Sequence, residues 1–418
     1  MMARLGLTCV LATGLTTTVG RTAAAQPAPP PASASAPQPI SLAFIQGAVP
    51  AAPRHRAAAA RRQAASLGVA AAGAWGATSF GVSTSWKTAR LGLAMSVPLP
   101  LLGAARSRDA SIAVAHAERA VAEAELGRTD LELVHDATRA WLELARAAGH
   151  RDAAHAATAR ELALLTATKE RASAGDAARS DVVQATASER RAVARESADA
   201  SSVVVASAEL AAVLGWPADR ELAFDGALAM PPEVQPLAVW RQRAAEQPAL
   251  RVATAERAVA DRQVEVARSA RWPVLSLDAD AAIDDPTLPG TDFHAGFSIS
   301  VPLFGRTAAG IAAATARRDA VQGEREAIIT ALDAQVVAAY RRLEAARARV
   351  NAMEQDVLPA AREASNVARE SYQEGVGGLA SVLEGERLLA ESELEAWDAR
   401  VDAAQGYADL VWAAGGTP

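Results

Sequence analysis

Leu93-Ala94-Met95-Ser96-Val97-Pro98-Leu99 returns, roughly 200 residues later, as Phe297-Ser298-Ile299-Ser300-Val301-Pro302-Leu303. In the first stretch Leu91, Leu93, Met95 and Val97 alternate with Gly92, Ala94 and Ser96. In the second, Phe293, Ala295, Phe297, Ile299 and Val301 alternate with His294, Gly296, Ser298 and Ser300. A period of two marks a strand with one apolar face and one small or polar face. Partner strands are expected over about 67–80 and over Val274 to Ile283, after Trp272-Pro273. Turn residues separate each pair, at Gly81 to Lys87 and from Asp284-Asp285-Pro286 to Pro289-Gly290.

Beyond each Val-Pro-Leu the pattern becomes helical for a long way. No proline interrupts about Ala104 to Ala172, and between Thr307 and Arg369 there is only Pro359. A helix of ~65 residues makes a rod of ~100 Å, several times the width of a globular domain. Val134, Ala137, Trp141 and Leu144, and again Val336, Tyr340, Leu343, Ala346 and Val350, step by three or four, as a coiled-coil-like face does. Gly175, and later Gly375-Val376-Gly377-Gly378, then reverse the chain into a return helix ending at Gly215 or Gly415.

Other matches keep the same spacing. Gly175, Val182 and Val183 correspond to Gly375, Val382 and Leu383; Ala208-Glu209-Leu210 with Gly215 to Ala408-Asp409-Leu410 with Gly415; and Pro53 to Pro248. Four collinear matches indicate an internal duplication. The expected organisation is a first repeat over 40–232, with strands at about 67–99 and a helical hairpin at about 104–215. A second repeat follows over 233–418, with strands at about 272–303 and a hairpin at about 306–415. Short helical stretches open the repeats, at about 40–65 and 233–270. The fold class is mainly α with a small β part, each repeat a β-hairpin joined to a very long αα-hairpin.

Composition agrees. Of 418 residues 50% are hydrophobic, 22% charged and 4% aromatic, and roughly a quarter are alanine, the strongest helix former. A net charge of −6 removes the electrostatic case for binding nucleic acid. At the N-terminus Arg4, the apolar run Leu5 to Val19 and Ala23-Ala24-Ala25 before Gln26 form a signal-peptide pattern over 1–25. Residues 26–39 are a Pro/Ala/Ser-rich leader. Cys9, the one cysteine, lies too early for a lipoprotein anchor, so an exported chain without disulfides is expected. No later stretch approaches ~20 uninterrupted apolar residues, so no membrane-spanning helix is expected.

Four strands cannot close a barrel, which needs about eight, and an open sheet would expose its edges. Two copies would supply eight strands and a filled interior; three would supply twelve and room for a water-filled lumen. In an exported chain without a spanning helix, a composite barrel is the remaining membrane-spanning option. A soluble sandwich against the helices stays open, because period-two faces do not separate lipid from a protein core. In the barrel, Leu91, Leu93, Met95, Phe297 and Ile299 would face lipid, and Trp75, Phe80, Trp86 and Phe293 would suit interfacial girdles.

This order of elements, with its duplication, Ser-Val-Pro-Leu strand ends and glycine-bearing tips, resembles the TolC-like outer-membrane efflux channels over about 40–415. The resemblance implies a homotrimer with a twelve-stranded barrel in outer-membrane lipid and an α-helical tunnel across the periplasm. It also implies docking to a periplasmic adaptor (membrane fusion) protein that links it to an inner-membrane pump. In the family an acidic Asp-Val-Leu-Asp stretch after the second tip narrows the tunnel. Here the matching residues are Ser381-Val382-Leu383-Glu384, so one acid is replaced by serine. In the first copy Asp181-Val182-Val183-Gln184 carries the acid at the other position. Glu384, Ser381 and Asp181 are therefore the candidate gate, where three carboxylates around one axis would attract cations. Gly175, Asp176, Arg179, Ser180, Gly375, Gly377 and Gly378 are the candidate docking tips.

Catalytic patterns are missing: there is no G-x-S-x-G, phosphate-binding glycine loop or H-E-x-x-H. His150 and His155 are off the i, i+3/i+4 spacing that places metal ligands on one helical face. No cofactor and no enzyme is read. The expected role is a passive export duct of a tripartite system, with a soluble periplasmic helical scaffold as the rival reading.

Overall fold

The computed structural model of the protein describes residues 38–74, 79–85, 90–226, 228–285, 288–302 and 305–417. The signal-peptide segment, nearly all of the Pro/Ala/Ser leader, Trp75 and Trp86 lie outside them. The chain is mostly helical with a small sheet part, as expected.

The first half opens with a three-residue strand β1 (Gln38–Ile40), a short helix α1 (Leu42–Ala48) and α2 (Pro53–Gly73). Strands β2 (Ser79–Ser85) and β3 (Arg90–Pro98) follow. Next come α3 (Leu102–Ala174) and α4 (Arg179–Leu214). After β4 (Leu222–Phe224), which pairs in parallel with β1, the order of elements returns. Helices α5 (Leu237–Ala244) and α6 (Pro248–Ser269) lead to strands β5 (Val274–Asp285) and β6 (Leu288–Ser300). The last helices are α7 (Arg306–Ala352), α8 (Leu358–Gln373) and α9 (Leu379–Ala413). With 73 residues, α3 extends ~110 Å.

Residues 67–73, read from the sequence as the start of a strand, belong to α2, and residues 81–85, read as a loop, belong to β2. The run Ala64-Ala65-Ser66-Leu67-Gly68-Val69-Ala70-Ala71-Ala72 is too alanine-rich to leave the helix. A second difference is a π-turn at Met353–Val357 between α7 and α8. Pro359 lacks an N–H and its ring crowds the carbonyl four residues back, so the ladder there widens by one residue. α3, which has no proline, runs unbroken.

Proline also starts helices. Pro53 and Pro248 are the first residues of α2 and α6, where a missing N–H costs nothing. Glycine ends the hairpin arms. Gly175, Gly215, Gly375 and Gly415 all have positive φ. The pairs Gly175 N–H to Ala172 O and Asp176 N–H to Arg171 O recur at Gly215 and Trp216, Gly375 and Val376, and Gly415 and Gly416. Four Schellman turns thus stand at matching places in the two halves.

Strands β2, β3, β5 and β6 form one antiparallel sheet, in the order β2-β3-β5-β6. The rods have no single core. Small clusters lie along them, one around Trp141, Leu142, Leu144 and Leu210, another around Val336, Leu343 and Leu410. The periodic residues Val134, Ala137, Trp141 and Leu144, and Val336, Leu343 and Val350, are all buried. One described helix, α4, is long and apolar enough to cross a membrane by length and composition alone. It packs along α3 and leaves Val183, Val193, Val204 and Val205 exposed.

Candidate functional site

Two features could carry function: the hairpin tips at one end of the rods, and the sheet.

At the tips an apolar cluster of Leu164, Leu165, Ala185, Tyr372, Leu379 and Val382 joins α3, α4, α8 and α9. The Tyr372 hydroxyl donates to Thr168 Oγ1 at 3.2 Å. Arg171 stacks on the Tyr372 ring at 4.4 Å, and its guanidinium donates to the Tyr372 carbonyl. The first tip is thereby fastened to the second.

Val382, 1% exposed, orients the Ser381-Val382-Leu383-Glu384 stretch. With Val382 in the cluster, Ser381 and Glu384 are both exposed on α9, three positions apart and on neighbouring sides of the helix. Glu384 acts electrostatically on Arg387, which pairs with Glu391 at 3.0 Å. Asp181 stands elsewhere, in the first turn of α4, where its carboxylate accepts the Ala178 N–H at 3.3 Å. A carboxylate there offsets the helix dipole and satisfies a free backbone donor. Within one chain the structure gives no contact between Asp181 and Glu384. Gly175, Asp176, Arg179, Ser180, Gly375 and Gly378 are exposed, and Gly377 is half-buried.

Sequence reasoning missed two tip residues. Val376, between Gly375 and Gly377, is 84% exposed; a valine inside a glycine turn was the available signal. Glu386 is 4% exposed although ionisable. It occupies the buried stripe Val382, Glu386, Leu389 of α9, spaced i, i+4, i+7. Arg160 Nε of α3 approaches its carboxylate at 3.0 Å, the Ser365 hydroxyl of α8 donates at 3.0 Å, and Arg369 of α8 donates as well. Arg160 also donates to Glu393 at 2.9 Å. Beside them burial pushes the Glu161 carboxyl above its ordinary value; the Ser188 hydroxyl opposes that shift and the Glu386 charge adds to it.

Further up the rods a second set repeats the theme. Arg146 of α3 holds Asp398 at 2.9 Å and Asp402 at 2.8 Å on α9. Arg349 of α7 reaches Asp402 at 3.2 Å, and His150 lies 2.9 Å from Asp398. Among the described residues no group of His, Cys, Asp and Glu has a metal-holding arrangement.

The sheet has two chemically distinct faces. Cross-strand register sets Phe80 beside Met95 and Ala279, Val82 beside Leu93 and Ala281, and Val97 beside Leu277 and Phe297. On the other face Ser79 stands beside Ser96 and Asp278, and Gly81 beside Ala94, Asp280 and His294. Phe297 and Ile299, on edge strand β6, are 74% and 60% exposed. Leu93 and Met95 are half-buried because β3 lies between β2 and β5. The side chain of Leu91 is outside the described set. Among the described residues none covers the apolar face, where Phe80, Val82, Phe293, Phe297 and Ile299 are exposed, and β2 and β6 each pair on one side only.

Comparison with known proteins agrees with this geometry. Residues 239–416 match the family model described as outer membrane efflux protein. No curated protein matches. Among solved structures the outer membrane protein VceC of Vibrio cholerae superposes with a TM-score of 0.71 at 21% identity, over 90% of this chain and 96% of that one. CusC, whose structures describe transmembrane channel formation, gives 0.73 at 17% identity, over 90% and 92%. The CmeC outer membrane channel of Campylobacter jejuni gives 0.71 at 14% identity, over 89% and 85%. Residues 239–416 are thus similar to the outer membrane efflux protein family, and the chain has the fold of the TolC-like outer-membrane efflux channels that its sequence resembles.

Proposed function

We propose that this chain is the outer-membrane duct of a tripartite export system, passive in itself and driven by an inner-membrane pump through a periplasmic adaptor. The observation that carries this reading is the sheet: four strands, two open edges and an apolar face left bare, attached to rods of ~110 Å. Three copies joined edge to edge would pair every strand and turn Phe297 and Ile299 to lipid. The polar face with Asp278, Asp280 and His294 would then line a lumen. The helices would continue that lumen through the periplasm.

Glu384 and Ser381 would ring the narrow end of the tunnel, with Asp181 nearby on the neighbouring hairpin. The network of Glu386, Arg160 and Arg369 would hold the hairpins in register beneath them. The tips, Val376 included, would meet the adaptor. Exported solutes would be chosen by the pump, since the duct offers a path and a charge filter.

Fractionation tests this directly. Retention in outer membranes after a carbonate wash, with release only by detergent, is the expected result. Release into the soluble periplasm would replace the duct with a scaffold whose sheet packs on a protein partner.

A further inference from the structure

Where the sheet meets the rods, α3 is seated directly on the turn before β5. Gly103 N–H donates to the Pro273 carbonyl at 3.0 Å, and a Cβ at Gly103 would lie 2.6 Å from the carbonyl oxygens of both Trp272 and Pro273. One turn later, Arg106 lies over the Trp272 ring at 3.6 Å. Trp272 is 43% exposed, and Arg106 and Arg271 are exposed too. Among the described residues no carboxylate pairs with either arginine. A guanidinium stacked on an indole keeps the N–H groups of its edge free for an acceptor, and its fork suits a phosphate.

The surroundings are graded along the rod axis. Toward the sheet lie Leu101 and Leu102, each 51% exposed, with Ile299 and Phe297 on β6 and Val301 just past its end. Leu102 has φ 51°, a backbone conformation that bulky residues rarely adopt, yet its side chain reaches no core. Toward the helices lie Arg106, Arg108, Arg268 and Arg271, against Asp109 and Glu265. Arg268 is engaged by Glu265 at 2.7 Å, and Arg108 donates to the Gly73 carbonyl at 2.9 Å. The order of apolar side chains, then tryptophan, then cations is that of a surface crossing from acyl chains to headgroups.

We propose that this junction binds the headgroup of an anionic phospholipid in the periplasm-facing leaflet. Arg106 and Arg271 take the phosphate, Trp272 holds Arg106 in place, and Leu101 and Leu102 contact the lipid below its headgroup. The proposal rests on the outer-membrane reading above. An acyl-bound phosphate is favoured over a free one because the exposed leucines adjoin the cations.

The test uses the full mature protein purified in detergent, with phosphatidylglycerol, phosphatidylcholine and inorganic phosphate as probes. Lipid retained through detergent washes and thermal unfolding are measured for wild type and for the R106Q/R271Q double variant. Wild type is expected to retain phosphatidylglycerol about tenfold over phosphatidylcholine and to be stabilised by it, since arginines near such a surface are attracted to anionic headgroups. The double variant should lose that preference while its conductance in planar bilayers stays unchanged, and R106K/R271K should keep part of it. An unchanged preference in R106Q/R271Q, or equal stabilisation by inorganic phosphate, overturns the proposal. Conductance without lipid preference would sink the headgroup site alone. Absence of any conductance in wild type would remove the duct and the site together.

Discussion

Glu386 shows how one side chain can tie three helices together. Its carboxylate is 4% exposed, and arginines from α3 and α8 both point at it. Glu386→Ala would leave Arg160 and Arg369 without their shared counter-charge in a largely dry setting. Because both arginines keep some contact with water, the expected loss is near the low end for a broken buried pair, about 3 kcal/mol, read as a fall in Tm. Glu161 next to it has the opposite character. Its pKa is raised by burial above the ordinary 4.5, so the folded state holds this proton more tightly than the unfolded state. That contribution to stability is complete below the unfolded value and is lost as pH rises through the raised folded one. Glu161→Gln should therefore raise Tm at neutral pH, have little effect below pH ~4, and remove the fall in stability that this carboxyl contributes as pH rises from there toward neutrality. A Tm difference independent of pH would contradict this. Glu384, exposed, has no such structural burden. Glu384→Gln should leave stability unchanged within about 0.5 kcal/mol while lowering cation preference in single-channel recordings. Unchanged conductance and selectivity would remove it from the gate.

Long rods are held together at the scale of elements by close approaches that a helix pattern does not reveal. Gly149 lies in the middle of α3, where intrinsic preference disfavours glycine. A Cβ there would stand 2.0 Å from Trp397 Nε1 of α9, which donates to the Ala145 carbonyl at 3.1 Å. Gly149→Ala would gain helix propensity but push the indole away, for a net cost of about 2 kcal/mol. In the background of Trp397→Leu the same substitution should cost far less, and a double-mutant cycle of melting temperatures measures that coupling. Much of this level was legible beforehand. The three-four spacing located Trp141, Leu144, Val336 and Leu343 in the clusters, and Gly175 and Gly375 marked both tips, because periodicity and φ are local properties. Pairings between distant helices were not. Nothing in α9 alone says that Asp398 and Asp402 meet Arg146, or that Glu386 meets Arg160, since such contacts depend on the rotation of each helix in the bundle. Where alanine filled both patterns, at 67–73, local reading chose a strand and the helix won.

For the whole molecule, the decisive question is what each face of the sheet meets. Alternation in β3 and β6 was readable residue by residue, and the register shows it continuing coherently across β2 and β5, so each face is uniform. Alternation is blind to the medium, which depends on other copies of the chain and on lipid. Two adjacent substitutions separate the possibilities. Phe297 and Ser298 are successive residues of β6 on opposite faces. If the apolar face meets lipid, Phe297→Arg puts a charge in hydrocarbon at a cost of about 2–4 kcal/mol per copy near the midplane. Three copies in one barrel multiply that cost. Heat-modifiable trimers on gels should disappear from the outer membrane, with the chain accumulating unassembled. Ser298→Arg places the same charge on the face with Asp278 and Asp280, where water and carboxylates can receive it. That variant should assemble normally and shift single-channel selectivity away from cations. Equal assembly of the two variants would mean that neither face meets lipid, and the sheet would then belong against protein.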